Sequence, residues 1–228
     1  HLGKEKVGFC LVALAAVGFG ISPSFAKLAY HGGSEPLALV AARFTLCVLA
    51  MLVVACAGKN SLRVETKLLH IPFIMGSLLA WNATGYLSAV REIEVSLAAA
   101  LFYTFPLQVA LFLRLFGLGS LSFRRVSALF IGFAGVVLVI TLNLSGLNIG
   151  GIALALGAGS GVALSSVLFS RVADLENSIG LVLWSMVVAC LIGWFLAFFL
   201  GGIVFPVTSN GWGGFVVSML GFSLAIIA

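Results

Sequence analysis

"VALAAVGFGISPSFAKLA", residues 12–29, and "IALALGAGSGVALSSVLF", residues 152–169, decide how this chain is read. Both are apolar runs threaded with small residues, and Lys27 is the one charge in the pair. They begin at Val12 and Ile152, an offset of 140 residues. The same offset sets Trp212 opposite Pro72, where two further apolar runs begin. The sixth run of the chain therefore repeats the first, and the repeating unit is five helices. An odd number of spans inverts the second copy relative to the first, an arrangement that recurs in membrane carriers.

Composition sets the solvent. The chain is 62% hydrophobic and 8% charged, with mean hydropathy +1.24. A soluble domain carries about 25% charged residues, so lipid must cover much of this surface. About 20 helical residues cross a hydrocarbon core of about 30 Å. Runs of that length occupy 7–26, 37–58, 68–90 and 95–113. The long runs 126–170 and 177–228 are interrupted by "NLSGLN" at 143–148 and "GGIVFPVTSNGWGG" at 201–214. Eight candidate spans result. The alternation of a barrel strand is missing, so these spans are expected as helices, the form that satisfies its own backbone in lipid. The first run follows Lys4 and Lys6 but is long and is succeeded by another span, so it reads as an uncleaved helix rather than a signal peptide.

The twelve Lys and Arg, in a net charge of +5, form no stripe and predict no nucleic-acid partner. Eight of them fall in alternate loops: Lys4 and Lys6; Lys59, Arg63 and Lys67; Arg124 and Arg125; Arg171. Lys/Arg-rich loops face the cytoplasm, which puts the amino terminus inside. Cys10, Cys47, Cys56 and Cys190 sit in apolar runs without metal-ligand spacing and read as small buried residues.

The residues from Gly18 to Phe44, "GFGISPSFAKLAYHGGSEPLALVAARF", carry a Gly in the first span, a Lys near its end, a Pro opening the second and an Arg inside it. With "YLSAVREIEVSLAAALFYTFPLQVALFLRLF" (86–116) and "LSFRRVSALFIGFAGVVLVI" (121–140), this order resembles the EamA-type transporters of the drug/metabolite transporter superfamily. The match is strong over the first 140 residues and weak after them. Two places depart from the family pattern: Phe19 stands where Trp is common, and "LGSLS" (118–122) lacks the Glu of the usual hairpin. The resemblance implies an all-α polytopic membrane protein. Its expected fold is a ten-helix inverted repeat (5+5), with about eight helices in this chain. Residues 1–145 form the first repeat and 146–228 the second, whose fourth and fifth helices are expected beyond Ala228. It also implies alternating access, a small organic solute as partner, a multi-pass position in a bacterial inner (plasma) membrane, and no cofactor.

Polar residues inside the spans are the candidates for solute contact. Span 4 aligns Ser96, Ala100, Thr104 and Gln108 at i, i+4 spacing, with Tyr103 and Pro106 beside them; span 3 offers Trp81, Asn82 and Tyr86. Ser22 flanks Pro23 in span 1, and Ser165 ends a small-residue row, Ala153, Gly157 and Gly161, in span 6. Rows of small residues are first of all helix-packing seams. Substrate contacts are therefore expected at Ser22, Trp81, Asn82, Tyr86, Tyr103, Thr104, Gln108 and Ser165. Arg43, in "LVAARFTLCVLAML" (39–52), lies about 10 Å into its span at 1.5 Å per residue. It reads either as snorkelling to the surface or as an interior clamp, with Lys27 as a second structural charge on that side. All seven acids lie at or beyond span ends, so no intramembrane carboxylate offers a proton relay. Three histidines without ligand spacing and no nucleophile–base pair argue against an enzyme. A lipid flippase or a non-transporting scaffold of the same helical build is the alternative.

Overall fold

The computed structural model describes residues 2–57, 62, 64–118, 126–128, 130–132, 134–135, 148–172 and 178–227. No strand occurs among them. The helices are α1 (Leu2–His31), α2 (Pro36–Ala57), α3 (His70–Glu92), α4 (Val95–Phe102), α5 (Phe105–Leu115), α6 (Ile149–Val172), α7 (Ser178–Phe199) and α8 (Ser209–Ile227). A 3-10 turn, Thr66–Leu68, leads into α3, and further helical residues lie within 126–135.

Local chemistry sets the helix ends. Gly33, at φ 95°, closes α1 while the Ser34 N–H bonds the Ala29 carbonyl at 3.1 Å. Gly201, at φ 69°, closes α7 while the Gly202 N–H bonds Ala197 at 2.9 Å. A left-handed glycine satisfies the last carbonyls in this way at low steric cost. Pro36 opens α2, where its missing N–H is harmless. Asn148 caps α6, its Oδ1 accepting the N–H of Gly150 at 2.9 Å and of Gly151 at 3.3 Å.

Among the described residues, five segments are long and apolar enough to cross a membrane: Gly8–His31, Pro36–Ala57, Val95–Leu115, Ile149–Ser170 and Ile179–Phe199. α3 and α8 fall outside that set: the first carries Trp81, Asn82 and Thr84 in mid-helix, and the second opens on the polar "SNG". Of the run 126–140, residues 129, 133 and 136–140 lie outside the described residues. The fourth run is not one helix. It breaks between Phe102 and Phe105 because Pro106 has no N–H for the Phe102 carbonyl and its ring crowds that carbonyl.

α1 lies along α8, α3 along α6 and α7, and α2 along α7 and α8, while α4 and α5 lean on α6. Both leading pairs run antiparallel. Gly18 meets Gly221 and Gly32 meets Gly211 on the first; Ile93 meets Gly151 and Leu78 meets Gly161 on the second. At Gly18 and Gly221 each backbone rests on the other, closer than any side chain would permit. The main core gathers Leu39, Val40, Phe44, Leu87, Met186 and Phe222 from α2, α3, α7 and α8.

Candidate functional site

The break in the fourth run organises one polar cluster. Thr104 gives its hydroxyl to the Leu101 carbonyl at 2.7 Å and accepts the Gln108 Nε2 at 3.0 Å. Gln108 also reaches α6, where its Nε2 donates to the Leu156 carbonyl at 3.4 Å and its Oε1 accepts the Ser160 hydroxyl at 2.7 Å. The regular i, i+4 row expected on span 4 is thereby divided: Ser96 and Ala100 belong to α4, Gln108 to α5. Beside it, Trp81 leaves α3 half-exposed and donates its indole N–H to the Gly157 carbonyl at 2.9 Å. Tyr103 is 50% exposed, with its ring against Phe102 and Phe105 and no hydrogen bond among the described residues. Tyr86 packs on Phe102 at 4.7 Å, and Asn82 faces Gly161. Six of the expected contacts thus converge where α3, the α4–α5 break and α6 meet. Ser160, which completes the Gln108 network, escaped sequence reading because it lies off the Gly157–Gly161 row.

Ser22 belongs elsewhere, with Arg43. The Arg43 side chain is 3% exposed and turned inward. Its Nη2 donates to the hydroxyls of Ser22 and, at 2.7 Å, Ser218, and the guanidinium carbon stands 4.9 Å from the Phe222 ring centre. The two serines also bond each other's backbone: Ser22 to the Ser218 carbonyl at 2.9 Å, Ser218 to the Ser22 carbonyl at 2.7 Å. One cation therefore fastens α1, α2 and α8 together. Ser218 and Phe222 were not singled out by sequence. A buried guanidinium demands oxygen acceptors, but nothing near Arg43 in the chain names Ser218, 175 residues away.

Lys27 crosses to the end of α3, where its ammonium donates to the carbonyls of Val90 at 2.8 Å, Arg91 at 3.2 Å and Ile93 at 3.3 Å. These are the orphan acceptors of a helix C-terminus, and a cation suits the negative end of the helix dipole. Ser165 is separate from every other candidate. It lines a groove of about 360 Å³ between α3, α6 and α7 with Met75, Leu79, Phe169, Ser185 and Met186. Its hydroxyl bonds the Val162 carbonyl of its own helix at 2.9 Å. Among the described residues, no three His, Cys, Asp or Glu gather as metal ligands.

No curated protein matches. A solved structure described only as "Crystal structure of protein" superposes with TM-score 0.68, covering 95% of this chain and 78% of its own, at 19% identity; at that identity the likeness shows the fold. The EamA-like transporter family matches residues 6–141, more than half of the chain. With its apolar helices long enough to cross a membrane, this chain belongs to the EamA-like transporter family of the drug/metabolite transporter superfamily and is a multi-pass membrane protein.

Proposed function

We propose that this chain moves a small organic solute across the membrane by alternating access between two inverted repeats, residues 1–145 and 146–228. The observation that carries the reading is the matched pair of helix pairs. The offset of 140 residues turns the Gly18–Gly221 crossing of α1 and α8 into Ala158 and Trp81 of α6 and α3. Trp81 lies against Gly157 and Gly161, on either side of Ala158. The α2–α7 contact maps onto itself under the same exchange. Two antiparallel pairs related by one offset support an inverted repeat, and such repeats place the solute at their interface, on broken helices. The break at Pro106 supplies one, facing Gln108, Ser160 and Trp81. Trp81, Asn82, Tyr86, Tyr103, Thr104 and Gln108 are accordingly the proposed solute contacts, and Ser22, Lys27 and Arg43 hold the frame. Ser165 lies off this path. The alternation of Lys/Arg-rich loops supports an amino terminus in the cytoplasm.

Whole cells bearing the chain are to be screened for altered accumulation of labelled amino acids, nucleobases and organic cations. For the solute that moves, Tyr103→Ala and Gln108→Leu should each slow transport about tenfold, the factor that about 1.4 kcal/mol represents, at equal amounts in the membrane. Native rates in both variants would reduce the cluster to helix packing, and a panel that never moves would leave the scaffold reading in its place.

A further inference from the structure

At the end of the molecule where α3 finishes, polar bonds tie the elements together. The Arg91 guanidinium pairs with the Glu35 carboxylate of the α1–α2 turn. The Glu92 carboxylate accepts the Asn148 amide at 2.9 Å, from the residue that caps α6. The Glu35 N–H and the Ser34 hydroxyl donate to the Val204 carbonyl, at 3.0 and 3.3 Å, and the Val207 N–H to Gly32 at 2.9 Å. A pocket of about 300 Å³ opens on these groups, lined by Glu35, Ser88, Arg91, Glu92, Asn148 and Leu154. One helical turn below Ser88 on the same face of α3 stands Thr84. Its Oγ1 is buried and has no hydrogen-bond partner. A helical hydroxyl ordinarily bonds the carbonyl four residues back, as Thr45 does to Ala41 and Ser77 to Phe73, both at 2.8 Å. The Thr84 hydroxyl is unused, one turn along α3 from Ser88, which lines the pocket.

We propose that the Arg91–Glu92 end of α3 is the latch of a gate, and that the passage behind it runs along α3 past Ser88 to Thr84, whose hydroxyl meets the solute or its water. The inference rests on the carrier reading. Its chemistry suits a gate. Arg91 and Glu35 are 45% and 31% exposed, and ion pairs so placed are weak enough to part and reform. Lys27 meanwhile holds the same helix end through backbone carbonyls, so α3 keeps its cap whether or not the side-chain pairs are made.

The test uses the purified full chain with its four native cysteines replaced and Thr84→Cys as reporter. The readout is the rate of modification by a charged, water-borne thiosulfonate. Arg91→Glu sets two carboxylates against each other. Asn148→Asp keeps the oxygen that caps α6 and repels Glu92. Each should speed modification about tenfold, equivalent to about 1.4 kcal/mol of opening, with the melting temperature retained. The exchange Glu35→Arg with Arg91→Glu, and the pair Asn148→Asp with Glu92→Gln, should return the slow rate. Unchanged rates in both single variants would overturn the latch. So would a rise that the exchanges fail to reverse, or one matched by a fall in melting temperature. The rate needs no solute, so a failed latch is distinguishable from a failed carrier, which the transport assay reads.

Discussion

Arg43 brings a permanent charge into a segment that crosses lipid, and its surroundings explain why it stays. A central arginine costs about 2.5–3.5 kcal/mol on insertion scales. Two hydrogen bonds from a charged group contribute about 1.5–3 kcal/mol each, and the Phe222 ring adds a cation–π contact. These contacts offset the insertion cost, although the buried Nε has no partner among the described residues. Arg43→Leu should lower stability by about 1–3 kcal/mol on this balance, because α1, α2 and α8 lose their shared centre while the two serines keep each other. Arg43→Lys should also melt lower, since the lysine nitrogen ends one bond short of the Nη2 that reaches Ser22 and Ser218, and an ammonium lacks the guanidinium plane that lies against Phe222. Thermal unfolding of the purified variants decides the matter, and two native-like melting curves would leave the guanidinium without a structural role.

At the scale of the element, the crossing of α1 and α8 turns on glycine. A Cβ on Gly18 collides with the Gly221 carbonyl, whereas a Cβ on Gly20 meets nothing within 4 Å. Gly18→Ala should therefore destabilise by about 1–3 kcal/mol, as overpacking does. Gly20→Ala, on the same helix, should change stability by no more than about 0.5 kcal/mol in the unfavourable direction. Thermal melting side by side separates them; helix propensity favours alanine at both positions, so a Gly18→Ala as harmless as Gly20→Ala would mean that the crossing does not depend on glycine. The fourth run shows the opposite lesson. Its hydropathy reads as one span, but Pro106 forbids one hydrogen bond, and Gln108 then turns toward Ser160 of α6.

At the scale of the whole molecule, the charge alternation of the loops makes an orientation testable. In a background without native cysteines, Glu65→Cys and Glu94→Cys mark the two ends of α3. An impermeant thiol reagent applied to intact cells should label the second and spare the first. The reverse pattern would invert the molecule, and with it the side on which the Arg91–Glu92 latch opens.

Hydropathy and charge spacing were enough to determine a helical membrane protein, and the order of small and charged residues through Gly18–Phe44 was enough to suggest its family. Both are properties of short windows, set by a helix's length and its preference for lipid. The proposed 140-residue offset rests on the same kind of window, because like spans keep like small residues. Contacts between distant windows were not legible. Nothing near Arg43 in the chain specifies Ser218 or Phe222, which lie 175 and more residues away, and nothing near Lys27 names the end of α3 as its acceptor. Ser165 looked like its polar neighbours yet faces another groove, because one helix presents different faces to α3, α5 and α7. Only the tertiary structure decided which faces meet: the match of two glycine backbones, or of one cation to three carbonyls, depends on geometry summed over several helices and not on any one of them.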